Sequence, residues 1–368
     1  MGSIYSHDMD MLNRLTEKRD IAVQNVEKNR EKYWEGFPRE LPGDYVFPKW
    51  AIGPFTKYEH NPVFAPDEDG WDCGHFGGGV HNGSVVVKDG VFYYLYRGEF
   101  PIPEDEIIEG KPQYKCDCGL AISDNGIDWK RAAGPFFRGG GDEKFSFEDF
   151  NLAIYDGKYY LVCNRWDWEV WNDPKQCGVF LAVSDDLYNW EKIGLVFPKA
   201  DRIHRNAAIM QNTKNEAVRV NGKFTMFIND GIIAYSEDMI HWKSETLNAA
   251  FAGGECSFAV CDYDADNPDN VILFTGGANA GRHYAVGEVL FNKHDLKTPV
   301  EWLPRPVIYT EPQYPWENCW MIDGKTPNSG WYDTVFLTYL TLHEGKWYAY
   351  YGGSEYYSCL ATAPYTHR

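Results

Sequence analysis

Thirty-five Lys and Arg stand against 54 Asp and Glu in a chain of 368 residues, a formal charge of −19 at pH 7. That balance argues against nucleic acid or an anionic membrane as partner, because both are bound with surplus basic residues. The length suits one large domain or two ordinary ones, and 44% apolar with 24% charged residues excludes a mostly disordered chain.

The chain opens with MGSIYSHDMDMLNRLTEKRD, charged throughout and without the apolar core of a signal peptide. No stretch reaches the roughly 18 uninterrupted apolar residues of a membrane span. The nine Cys are odd in number and form no disulfide framework, so a reduced, cytoplasmic protein is expected. Residues 8 to about 34 predict one helix. Met11, Leu12, Leu15, Ile21, Val23 and Val26 recur among Lys, Arg and Glu, and Gly36, Pro38, Pro42 and Gly43 end the run. Residues 1–45 are therefore expected as an N-terminal helical extension. It would pack on the domain that follows or on another subunit, a homo-oligomer contact being slightly preferred.

After residue 50 short aromatic and β-branched runs alternate with Gly, Asn and Asp, which is the pattern of strands and turns. A turn pair followed by an aromatic strand recurs as DGVFYYLYRGE (89–99), DGKYYLVCNRWD (156–167), NGKFTMFIND (221–230) and EGKWYAYYGGSE (344–355). DNVILFTGGA (269–278) fits the same slot without the glycine. Three copies are followed by SDNGIDWK (123–130), SDDLYNWEK (184–192) and SEDMIHWK (236–243). Each Asp-Gly or Asn-Gly pair predicts a hairpin with positive φ, and each Trp is expected to fill the gap between neighbouring sheets. Five copies predict an all-β fold, a five-bladed β-propeller over residues 46–368 as the catalytic domain. Aromatics at 16% suit both stacked sheets and flat ligands such as sugar rings.

In that architecture ligand groups come from residues on and just before the innermost strand of each blade. These are His81 and Asn82, Glu148 and Asp149, His204 with Arg205 and Asn206, Glu255, and Asp333. Glu148 and Asp149 are flanked by Phe145, Phe147 and Phe150, and carboxylates beside aromatic surface are candidates for the raised pKa of a general acid. Glu255 lies in a small-residue, otherwise apolar run, where a carboxylate is costly unless bonded or functional. Arg97 ends an aromatic strand and could clamp a hydroxyl or an anion, or pair with Glu99. His204 and Arg205 together could make an oxyanion or phosphate site, or a solvated basic turn. HFGGGVHNGS leads into a strand and is not a phosphate loop, and neither GxSxG nor HExxH occurs. Cys116 and Cys118 lack the second pair of a zinc site, and no calcium loop is recognisable, so no cofactor is expected.

From about residue 54 onward the sequence resembles the five-bladed glycosidases of glycoside hydrolase family 130, which comprises β-mannoside phosphorylases and β-1,2-mannosidases. The likeness is carried by PFTKYEHNPVFAP, HNGSVVVKDGVFYYLYRGE, FEDFNLAIYDGKYYL, HRNAAIMQNTKNEAVRVNGKFTMF and WYAYYGGSEYYSCLATAP. It implies an oligosaccharide substrate and makes Asp149 the catalytic acid, acting through a sugar hydroxyl. Asn82 and Arg97 would contact the sugar of the −1 subsite, and Glu355 would stand where the family usually has Asp. Phe150-Asn151 replaces the family's Pro-Arg, and Ile228-Asn229-Asp230 replaces the His-Arg pair usual in its phosphorylases. Both departures weaken a phosphate site. If water is the nucleophile, a second carboxylate must activate it, and Glu255 is the best placed. The expectation is an inverting hydrolase of a β-linked, mannoside-type oligosaccharide, with the two carboxyls roughly 6.5–9.5 Å apart. A phosphorylase, a family 43 or 32 glycosidase, and a non-catalytic carbohydrate-binding propeller are the alternatives. Against families 43 and 32 stands His81-Asn82 where their first-blade Asp is expected.

Overall fold

A computed structural model describes residues 46–74, 78–103, 114–138, 144–170, 173–247, 255–278, 283–311, 314–317 and 333–366. The helix expected over 8–34, and with it the extension 1–45, lies outside the described residues.

A short strand, β1 (Thr56–Lys57), precedes five antiparallel groups of strands. The first is β2 (Val80–Lys88), β3 (Val91–Pro101), β4 (Tyr114–Ser123) and β5 (Lys130–Ala133). The second is β6 (Phe145–Tyr155), β7 (Lys158–Asp167), β8 (Gly178–Ser184) and β9 (Trp190–Leu195). Each of these two is a separate four-stranded sheet paired in chain order. The third group comprises β10 (Ala208–Gln211), β11 (Arg219–Val220), β12 (Lys223–Ile228), β13 (Ile232–Ser236) and β14 (Trp242–Thr246). The fourth comprises β15 (Glu255–Cys261), β16 (Asn270–Ala278), β17 (His283–Asn292) and β18 (Glu301–Trp302), and the fifth β19 (Asp333–His343), β20 (Lys346–Gly353) and β21 (Tyr357–Pro364). Short parallel pairings of β10 with β15 and β17 with β19 link the last three groups, together with β1, into one 13-stranded sheet. The fold is all-β, and no sheet closes into a barrel. Among the described residues no helix is long and apolar enough to cross a membrane.

The turn chemistry explains the strand boundaries. Asp89-Gly90, Asp156-Gly157, Asn221-Gly222 and Glu344-Gly345 all have positive φ at both positions. They form the tight hairpins β2–β3, β6–β7, β11–β12 and β19–β20, as the sequence predicts. In the second recurring motif Ser123, Ser184 and Ser236 accept backbone N–H bonds from residues two and three further on. The tryptophans that close these motifs pack between groups. Trp129 meets Tyr350 of the fifth group with ring centroids 5.7 Å apart, and Trp190 meets Phe137, which follows β5, at 6.3 Å. Trp242 lies in an apolar cluster with Tyr160 and Val162 of the second group.

The first strands of the five groups touch in cyclic order: β2 packs on β6, β6 on β10, β10 on β15, β15 on β19, and β19 on β2. Their inward side chains are polar but bonded, as burial requires. Ser84 donates to Phe150 O at 2.7 Å, and Asn151 donates to Ser257 O at 2.8 Å. Tyr339 donates to Leu152 O at 2.5 Å and to Gln211 Oε1 at 2.8 Å. The two ends of the described chain are also tied together. β1 pairs antiparallel with β21, and Asn61 donates to Leu360 O while accepting from Leu360 N.

Candidate active site

The site is built from a local irregularity repeated in the first strands. In β2 the pairing with β3 shifts between His81 and Ser84, and in β6 the pairing with β7 shifts between Glu148 and Asn151. Such bulges put one extra residue on the strand and re-aim its side chain. The residues re-aimed are Asn82 (φ 44°) and Asp149 (φ 57°), and Asn206 (φ 50°) takes a similar conformation just before β10. Asn and Asp tolerate this left-handed region better than most residues.

Asp149 becomes the centre of the cluster. Its Oδ1 accepts from Asn82 Nδ2 at 2.9 Å and from Arg97 Nη1 at 3.3 Å. Its Oδ2 accepts from Asn164 Nδ2 at 3.0 Å, and Asn164 also donates to Asn206 Oδ1 at 2.6 Å. Three donors from three strands fix the carboxylate's orientation. Arg97 is 7% exposed and also reaches Glu99 at 2.6 Å and Glu148 at 3.6 Å. Arg97 therefore pairs with Glu99, as the sequence allows, and at the same time with two carboxylates of the neighbouring sheet. Glu148 is pushed above the usual carboxylate range by burial, which the Arg97 charge offsets in part.

Glu255 opens β15 on the same side. Its Oε2 accepts the hydroxyl of Tyr284, and its Oε1 faces Arg205 Nη2 at 3.8 Å. Burial raises its pKa; the Tyr284 hydrogen bond works the other way, and the Asp149 charge adds to the rise. Glu355 sits at φ 56° between β20 and β21, where burial, opposed by Arg97 and reinforced by Glu99, Asp149 and Glu255, pushes it up to about 7. A carboxyl that holds its proton more tightly in the folded state stabilises the fold fully below its ordinary value of 4.5, and loses that contribution as pH rises through about 7. Thermal stability should therefore fall between pH 5 and 8, and Glu355→Gln should flatten the fall. An unchanged slope in melting temperature against pH would remove Glu355 as its source.

Two expected site residues are placed differently. His81 is wholly buried, with Nε2 3.1 Å from Glu99, so it lies behind Asn82 and offers no exposed surface. His204 and Arg205 do not form a joint anion site. Successive residues of an extended segment point to opposite sides. His204 accordingly packs on Phe197, with centroids 4.9 Å apart, while Arg205 turns to Glu255. Burial lowers the pKa of His204, and Arg202 lowers it further. Asp333 begins β19, in register with His283, and its side chain lies outside the described residues. Asn151, at the position where the family resemblance expects Arg, is buried between first strands and accepts from Ile209 N at 3.3 Å. Of the described cysteines, Cys116 is buried and meets Glu148 at 3.8 Å. No group of three or more potential metal ligands occurs among the described residues.

Asn164 and Tyr284 are not among the residues expected at the site from sequence, yet a signal for Asn164 is present. Counting eight residues from the turn residue Asp89, Asp156, Asn221 or Glu344 reaches Arg97, Asn164, Asn229 and Gly352. All four serve the site. Asn229 Oδ1 accepts from Cys256 N at 2.9 Å, beside Glu255. Gly352 leaves room for Asn82, whose Oδ1 would lie 2.6 Å from a Cβ at that position.

No protein-family model matches the sequence, and no curated protein is similar to it. Solved structures are similar. A provisionally assigned glycosidase from Bacteroides thetaiotaomicron superposes with a TM-score of 0.71 at 24% identity, covering 86% of this chain and 99% of that one. A structure from work on glycoside hydrolases of family 130 that target β-1,2-mannosidic linkages in Candida mannan gives 0.70 at 22%, covering 86% and 95%. A β-1,2-mannobiose phosphorylase from Listeria innocua, in complex with β-1,2-mannobiose, gives 0.63 at 16%, covering 85% and 97%. The chain has the fold of the family 130 glycosidases and phosphorylases.

Proposed function

We propose that this protein is an inverting glycoside hydrolase acting on β-mannosides, built as a five-bladed β-propeller with the substrate at one end of its central channel. The cyclic packing of β2, β6, β10, β15 and β19 supports the propeller arrangement. Asp149 is the acid, delivering a proton toward the glycosidic oxygen, and Glu255 is the base that activates water. Asn82 and Arg97 bind the sugar beside Asp149. Asn82 Oδ1 and Arg97 Nε are buried polar atoms without a hydrogen-bond partner among the described residues, a feature that calls for a functional reason.

The observation that carries hydrolysis over phosphorolysis is the charge balance. Arg97 is shared among Glu99, Glu148 and Asp149, and Arg205 faces Glu255, so carboxylates outnumber cations among the described site residues. A phosphate dianion would meet repulsion where a neutral water would not. Asp230 adds to this, since it lies near enough to Glu255 to raise its pKa.

Incubation with β-1,2-mannobiose, with and without inorganic phosphate, tests the assignment. Free mannose is expected at equal rates under both conditions, released first as the α-anomer by proton NMR. Mannose 1-phosphate formed only when phosphate is present would replace the hydrolase by a phosphorylase, and β-anomer released first would replace inversion by retention.

A further inference from the structure

We propose that Tyr284 positions Glu255, occupying Oε2 so that Oε1 is the oxygen that takes the proton from the attacking water. The inference rests on the reading of Glu255 as the base, and three observations support it. The first is the hydrogen bond itself, with the Tyr284 hydroxyl donating to Oε2. Burial and the neighbouring Glu255 hold the Tyr284 pKa far above its ordinary value, so the hydroxyl keeps its proton and remains a donor.

The second is the route the ring takes. Glu255 of β15 pairs with Gly276 of β16, and Tyr284 stands on β17, so the ring must pass over the middle strand to reach the carboxylate. Gly276 makes this passage: a Cβ there would lie 2.9 Å from Tyr284 Cε1 and 2.5 Å from Phe336 Cε2. The ring is 8% exposed and meets Phe336 edge-on, with centroids 5.8 Å apart at 70°. Packing therefore fixes where the hydroxyl can be, which is what a positioning residue requires.

The third is the asymmetry of the carboxylate. Among the described residues Oε1 pairs only with Arg205, at 3.8 Å and from a side chain that is 49% exposed. Charged or titratable groups reach Glu255 from the elements packed around it: Asp149 from β6, Arg205 before β10, Asp230 after β12, and the neutral Tyr284 hydroxyl from β17. Glu355 acts on Tyr284 from beyond β20. In the reaction the water O–H bond breaks with its proton passing to Oε1, and the water oxygen bonds to the anomeric carbon. The glycosidic C–O bond breaks, and its oxygen receives the proton delivered from Asp149.

The test reads Glu255 directly. In protein labelled with ¹³C at glutamate carboxyls, the Glu255 resonance is the one lost in Glu255→Gln. A hydrogen bond to the charged form is worth about one pH unit, so Tyr284→Phe should raise the Glu255 midpoint by about that much. The acid limb of kcat/KM for β-1,2-mannobiose should move up with it, and turnover should fall about tenfold. Gly276→Ala, which keeps the hydroxyl but displaces the ring, should raise the midpoint in the same direction. An unchanged midpoint in Tyr284→Phe overturns the inference. Normal turnover in Glu255→Gln overturns the base assignment, and this inference with it, and that failure is distinguishable because the midpoint is measured without substrate.

Discussion

Asp149→Asn is expected to lower turnover of β-1,2-mannobiose by about a thousandfold while leaving sugar affinity within a few-fold. The magnitude is that of losing a positioned general acid. The contrast between turnover and binding follows from the geometry. Of the side chains that surround Asp149, Arg97 is also anchored on Glu99 and Asn164 on Asn206, while Asn82 bonds to Asp149 itself. The isosteric amide keeps the shape of the pocket but has no proton of suitable acidity to deliver. Turnover by product chromatography and binding by calorimetry separate the two effects. A variant within tenfold of the wild-type rate would remove Asp149 from the chemistry. A variant that loses binding and turnover equally would make it a sugar ligand instead.

The largest stability effect is expected at Arg97. The residue is 7% exposed, and its guanidinium lies within 4 Å of carboxylate oxygens on Glu99, Glu148 and Asp149. Arg97→Met keeps most of the apolar volume and leaves the three carboxylates facing one another without a cation. Removing one partner of a buried ion pair costs about 3–5 kcal/mol. The loss should depend on pH, with the sign set by the remaining acids. With the cation gone the folded-state pKa of Glu148 rises further, because Arg97 is the charge now holding it down. Stability contributed by the protonated form is kept at low pH and lost as pH rises, so the variant should lose more relative to wild type at pH 8 than at pH 5. Urea unfolding at both values measures this. A cost below about 1 kcal/mol at pH 8 would mean that the carboxylates repel one another little, and that the arginine is not what holds them together.

Both results bear on how the protein divides its polar residues. Ser84, Asn151, Gln211 and Tyr339 are spent on stitching the first strands of different groups together, each with a named partner. Asn82 and Asp149 stand on the same strands, yet a bulge turns each of them out of the stitching pattern toward Arg97 of β3. The same one-residue bulge that disrupts the ladder thus makes the site.

Much of the architecture is legible in residue order because turns are local. Asp89-Gly90 and its three counterparts specify hairpins through backbone conformations open to Gly and tolerated by Asp and Asn, with Glu344 the outlier among them. The Ser-initiated motifs likewise bond within a few residues, so the repeats, the strand order inside each group and the role of the tryptophans follow from short-range chemistry. The positions of Asp149 and Glu255 at the heads of first strands also follow, since each lies a short distance before such a turn. Which neighbours those carboxylates acquire does not follow. Asn82 and Asp149 are 67 residues apart, and Glu255 and Tyr284 are 29 apart across an intervening strand. Adjacency in sequence misleads in the other direction: His204 and Arg205 part to opposite sides, and His81 sinks behind Asn82. Local chemistry determines turns and strand identity, because its partners lie within a few residues. Only the packing of the five groups decides which carboxylate meets which donor, because those distances are set by how first strands from different repeats come together.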